Sequence, residues 1–154
     1  MAGGHVLTNN LVFNMVRETQ DHGTFNSWDR QPFMYTGADG KPTFVPRTNR
    51  IGPHNFFEND YNPQEAVDND DSSAYYETHH NFFPFSTGGT HPIGNVVEGN
   101  FIHEIGIFQK QVSCYFQAQT EGSTLSNNIC FNGPRAGINF NDGPVGFLQS
   151  TVSD

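Results

Sequence analysis

A short pattern recurs along this chain: one or two polar residues, an asparagine, then two or three apolar residues. It stands at Asn10-Leu11-Val12-Phe13, Asn55-Phe56-Phe57, Asn81-Phe82-Phe83, Asn100-Phe101-Ile102 and Asn128-Ile129-Cys130-Phe131, so successive asparagines are 45, 26, 19 and 28 positions apart. A spacing of this kind is a solenoid period, with the 45-residue step read as two turns or as one turn plus a loop. No single turn buries its own apolar residues, so each must stack on the turns above and below. Asparagine suits the bends, because its side chain bonds to nearby backbone and it tolerates left-handed φ/ψ. Stacked asparagines can also bond to one another in ladders. The reading is an all-β coil of short parallel strands forming one domain over residues 1–154; an Asn-rich β-sandwich with irregular loops is the competing architecture.

Composition points the same way. The chain has 16 Gly, 9 Pro and 17 Asn, which favour turns over helices, and its apolar share of 34% is rich in aromatics, with 15 Phe. One segment breaks the repeat: Gly23 to Arg50 holds the single Trp, three prolines and the strong turn sequence Gly37-Ala38-Asp39-Gly40. Its aromatics (Phe25, Trp28, Phe33, Tyr35 and Phe44) favour one long ordered loop packed across the flank of the coil.

Charge and targeting features exclude several classes. A net charge of -9 with only seven basic residues, none clustered, argues against a nucleic-acid partner. No run of 18 or more apolar residues suits a membrane-spanning helix. The opening MAGGHVLTNN lacks the charged and apolar regions of a signal peptide, so secretion implies a mature or excerpted chain or another export route. Cys114 and Cys130 can pair or stay as buried thiols; with no CxxC and no dense cysteine pattern, free buried thiols are favoured.

Four longer segments carry a resemblance: Arg17 to Pro32 (RETQDHGTFNSWDRQP), Tyr61 to Phe83 (containing NPQEAVDNDDSSAYYETHHNFF), Ile105 to Gln119 (IGIFQKQVSCYFQAQ) and Asn132 to Gly143 (NGPRAGINFNDG). Through them the chain resembles right-handed parallel β-helix proteins of the pectate-lyase-like superfamily, in particular its glycoside-hydrolase-like members. The resemblance implies a right-handed parallel β-helix of about six to seven turns, roughly 30 Å long at the ordinary strand spacing. It also implies an extracellular or cell-surface protein that binds or hydrolyses a glycosidic bond. The resembling proteins are longer, so this chain matches a central block of turns. Their order also differs: there the NGPRAGINFNDG segment leads into the HVLTNNLVFN type of turn, which here opens the chain. Head-to-tail stacking of two copies would restore that order across an interface, giving a heterologous contact and a filament. A non-catalytic structural or adhesive solenoid that self-assembles end to end is therefore the alternative function.

Glycoside hydrolysis by the common route needs two carboxylates flanking the bond. The catalytic candidates are Asp142, Asp70, Asp71, Glu18 and Asp21. Asp29, beside Trp28, joins His22, Arg30 and Arg135 as a binder of sugar hydroxyls, with Trp28 or Tyr35 as a stacking platform. A turn is the favoured explanation of Asp142, since Asn-Asp-Gly is turn chemistry, and for Arg135 a bend-stabilising bond to backbone carbonyls competes equally with ligand binding.

Asp68 and Asp70 are the lesser, calcium reading of the acidic stretch, which lacks the glycine and distal glutamate of an EF-hand; otherwise no cofactor is expected. Zinc at His79 and His80 is disfavoured, because neighbours on a strand point to opposite faces.

Overall fold

The computed structural model describes residues 3–18, 22–28, 34–44, 48–58, 65–70, 73, 75–85, 95–106, 112–118, 122–133, 135–141 and 150–153. These form strands, bends and turns, with no helix among them. The chain begins with β1 (Val6–Leu7), β2 (Leu11–Phe13) and β3 (Phe25–Trp28). A hairpin follows, β4 (Met34–Thr36) and β5 (Pro42–Phe44), before β6 (Asn49–Ile51), β7 (Phe56–Glu58) and β8 (Val67–Asp70). Next come β9 (Tyr76–His79) and β10 (Phe82–Pro84), then β11 (Val96–Glu98), β12 (Phe101–His103) and β13 (Ser113–Ala118). The remaining strands are β14 (Ser123–Ser126), β15 (Ile129–Phe131), β16 (Ala136–Asn141) and β17 (Ser150–Ser153).

Among the described residues every strand pairing but one is parallel. The first sheet has the order β1-β6-β9-β11-β14-β17 and the second the order β2-β7-β10-β12-β15. Two further parallel pairs, β3 with β8 and β13 with β16, stand outside these sheets. The exception is the antiparallel hairpin β4–β5. Its turn is the Gly37–Gly40 stretch: the Gly37 amide donates to the Lys41 carbonyl at 2.8 Å, and the Asp39 carboxylate accepts from the Lys41 amide at 3.1 Å.

The 45-residue step is thus one passage through both sheets plus an inserted hairpin. The Gly23–Arg50 segment is not one long loop. Its first part, Phe25–Trp28, pairs with Val67–Asp70 in register, because Ser27 and Asn69 bury small polar side chains where an apolar pattern would have announced a strand.

Each crossing from the first sheet to the second uses the same backbone. Asn9, His54, His80, Gly99 and Asn127 all have positive φ, and each immediately precedes a repeat asparagine. A second left-handed residue closes the short strand at Asn14, Phe85, Glu104 and Asn132. Two left-handed bends around three extended residues turn the chain sharply without a long loop.

The repeat asparagines occupy the first of these corners in a hydrogen-bonded column. Asn10 Nδ2 donates to Asn55 Oδ1 at 2.8 Å, Asn55 to Asn81 at 3.0 Å, Asn81 to Asn100 at 3.2 Å and Asn100 to Asn128 at 3.0 Å. Each acceptor oxygen also takes the backbone N–H of the asparagine before it. The second amide proton goes to a carbonyl of the first sheet: Asn55 to Leu7, Asn81 to Ile51, Asn100 to Thr78 and Asn128 to Val97. Asn55, Asn81 and Asn100 are buried, so this full satisfaction is what makes a polar column tolerable there.

Beside the column lies the apolar core, with Ile51, Phe57, Ala66, Val67, Tyr76, Phe83, Ile102, Ile105 and Cys114 in one cluster. Phe57 and Phe83 stack at 5.5 Å between centroids, one rung apart. Cys114 of β13 and Cys130 of β15 are joined by a disulfide, with Cα atoms 6.3 Å apart, within the range a bridge needs. This overturns the expectation of free thiols: both cysteines lie at the core, on strands of different sheets, and their spacing in sequence carries no sign of that proximity.

Candidate functional site

The strand pair β3–β8 gathers more of the expected site residues than any other described part of the molecule. In register, Asn26 faces Asp68 and Trp28 faces Asp70. Asp68 is 5% exposed, and its Oδ2 accepts a hydrogen bond from Asn26 Nδ2 at 2.8 Å. Between them Ser27 and Asn69 point inward, where Asn69 Nδ2 donates to Ser27 Oγ at 2.8 Å. Trp28 ends β3 with its side chain 55% exposed. Gly23 makes the close approach at the start of this face: a Cβ there would stand 2.6 Å from the Glu65 carbonyl oxygen.

The pattern of the acidic stretch follows from strand geometry. Asp68 and Asp70 are two residues apart on β8, about 6.6 Å apart at Cα. Among the described residues no group of three or more His, Cys, Asp or Glu side chains is arranged to hold a metal ion. Asp68 itself is engaged by the Asn26 amide.

The other expected residues are scattered or undefined. Glu18 and His22 are exposed in the segment between β2 and β3, and Arg135 is exposed between β15 and β16. Tyr35 lies on the hairpin strand β4, which pairs with β5 and not with β3. Asp21, Asp29, Arg30, Asp71 and Asp142 lie outside the described residues.

Two features escaped sequence reasoning. The first is an outward aromatic row on the second sheet. Phe56 stacks on Phe82 and Phe82 on Phe101, each at 4.9 Å, with Leu11 and Ile129 continuing the row at its two ends. A stacked ring has its faces taken up by its neighbours and offers only edges to solvent, which suits apolar packing better than a sugar ring seeking an open π-face.

The second is the corner at His79 and His80. His80 sits in the left-handed region at φ 53°, so its ring swings back beside that of His79, and the two Nδ1 atoms are 3.2 Å apart. The rings meet edge to face. Around them the outer side of the first sheet places Glu77 two residues before His79 and Glu98 in register with it; Arg50 bonds Glu77 at 2.7 Å. Burial and the His80 charge hold the His79 imidazole below its ordinary pKa, outweighing Glu77 and Glu98, which act the other way. The premise that neighbouring histidines diverge fails here because His80 is not on the strand but on the bend that ends it.

A cavity of about 350 Å³ opens among Ile102, Cys114, Tyr115, Leu125, Asn128 and Ile138. It lies where the first sheet runs one strand further, to β17, than the second sheet, which ends at β15. No helix of the described residues is long and apolar enough to cross a membrane.

No family model, no curated protein and no solved structure matches this chain. A functional reading therefore stands on the side chains described above.

Proposed function

We propose that the chain is a right-handed parallel β-helix that binds carbohydrate on the face made by β3 and β8. The observation that carries this reading is the register of Trp28 with Asp70. A half-exposed indole beside a carboxylate-bearing strand joins an apolar platform for a sugar ring to acceptors for its hydroxyls. Asp70 is the catalytic residue of the hydrolytic form of this reading, while the Asn26-bonded Asp68 positions the strand. The strand order supports the helix, since the chain visits the two sheets alternately and always advances one rung.

Binding to an immobilised glycan panel tests the proposal. Trp28→Ala should weaken any bound glycan by about tenfold or more, and Asp70→Asn should abolish release of reducing ends while leaving binding in place. A panel with no binder, or a binder indifferent to Trp28→Ala, would end this reading.

The alternative is a non-catalytic solenoid that associates end to end, and the ends of the asparagine column favour it. At the last described asparagine of the column the Asn128 amide donates to the Ser126 carbonyl at 2.8 Å, and at the first the Asn10 amide donates to the Thr8 carbonyl at 3.1 Å. Leu11 and Ile129 at the two ends of the outer row are 64% and 56% exposed, as unstacked terminal rungs would be. A mass that rises with concentration in light scattering supports this alternative, and a constant monomer mass removes it.

A further inference from the structure

We propose that His79 and His80 form a two-nitrogen chelate for a divalent first-row transition-metal ion at the corner between β9 and β10. Adjacent histidines on an extended strand would face apart, but the left-handed bend at His80 brings both Nδ1 atoms to one side, 3.2 Å apart. Two imidazole nitrogens bound at the usual 2.0–2.1 Å stand about 2.9 Å apart in a square-planar arrangement and about 3.3 Å apart in a tetrahedral one. The observed separation falls between these values, and a turn of the two rings that aims both lone pairs at one point beside the N–N line lets the pair share an ion.

Its surroundings favour a cation. Glu77 and Glu98 lie on the same outer side of the sheet and act electrostatically on His79, and Arg50, which also acts on it, is engaged by Glu77. His80 is fixed from behind: its ring lies where a side chain on Gly99 would stand, with Nε2 3.0 Å from the position a Cβ would take. That places Nδ1, not Nε2, toward His79. Without metal, the same contact is a hydrogen bond in which one ring donates its Nδ1 proton to the other. Binding requires the donor ring to carry its proton on Nε2 instead, with no net proton released. Water completes the coordination. Imidazole pairs suit copper, nickel and zinc, and copper(II) stands highest in affinity among them.

Copper(II) chloride titrated into the full chain in a non-coordinating buffer is the test. Calorimetry should show one saturable site and electron paramagnetic resonance two nitrogen ligands. His79→Asn and His80→Asn, the latter keeping a residue that tolerates the left-handed bend, should each weaken binding by at least about tenfold. His103→Asn, on the second sheet, should leave it unchanged. Proton NMR of the unaltered protein gives the same answer without substitution: substoichiometric copper should broaden the His79 and His80 imidazole signals first. No saturable site, broadening centred on other groups, or equal affinity in the His79→Asn/His80→Asn double variant overturns the proposal.

Discussion

Asn81 donates its side-chain amide to Oδ1 of Asn100 at 3.2 Å, although the two lie 19 positions apart and both are buried. Asn81 also gives its other amide proton to the Ile51 carbonyl at 2.7 Å and accepts at Oδ1 from the Asn55 backbone and side chain. One residue therefore ties its own rung to the rungs on either side of it.

Replacing it leaves buried donors and acceptors without partners, which costs about 1–3 kcal/mol for each such group. Asn81→Ala should thus lower the unfolding free energy by about 3 kcal/mol or more, whereas Asn10→Ala, at the exposed end of the column, should cost about 1 kcal/mol. Chemical denaturation of the two variants measures the difference; equal losses would mean that the column does not act as a buried network.

This column was the most legible part of the fold, because asparagine followed by apolar residues serves two physical needs at once, a bend and an inward-facing strand. The five asparagines quoted from sequence are the five that bond. The β3–β8 pair was illegible for the opposite reason: Ser27, Asp68 and Asn69 are buried polar residues, and they erase the apolar alternation by which a strand is recognised. At the candidate site, Trp28 and Asp70 were both legible as polar or aromatic candidates, but neither their register nor the burial of Asp68 against Asn26 was announced in sequence, because both follow from a strand pairing between segments about 40 residues apart. The bend at His80 was hidden as well, since histidine is not a strong signal for left-handed backbone.

At that bend, Gly99 and His80 are coupled. Gly99 has φ 63°, and a Cβ there would touch the His80 ring at 3.0–3.1 Å. Gly99→Ala should cost about 1–2 kcal/mol from the left-handed backbone alone, plus the displacement of the ring. In a His80→Ala background the second part vanishes, so a double-mutant cycle should give a measurable coupling. Strict additivity would show that the ring moves aside freely.

The disulfide closes a loop between Cys114 and Cys130 and ties β13 to β15 beside the 350 Å³ cavity. Cross-linking a loop of that length stabilises by about 3 kcal/mol in the chain-entropy account. Cys114→Ala/Cys130→Ala should lower the melting temperature, and reductant should do the same to the unaltered protein while leaving the double variant unaffected. A melting temperature insensitive to both changes would contradict the bridge.

His79 makes stability depend on pH in a definite direction. Burial first, then the His80 charge, lowers its pKa in the folded chain below the ordinary 6.5, while Glu77 and Glu98 oppose the shift and Arg50 assists it. The unfolded chain therefore binds more protons at this position than the folded one once the pH falls toward 6.5, and stability declines as pH drops through that window toward the folded value. Above about pH 7.5 both states hold a neutral imidazole and the contribution is constant. Denaturation midpoints measured from pH 8 to pH 5 should fall on the acid side, and His79→Gln should flatten the part of that slope nearest pH 6.5. Replacing Glu98 by Gln removes a carboxylate that opposes the shift, so it should steepen the same slope. A slope unchanged in His79→Gln would assign the acid sensitivity to other groups.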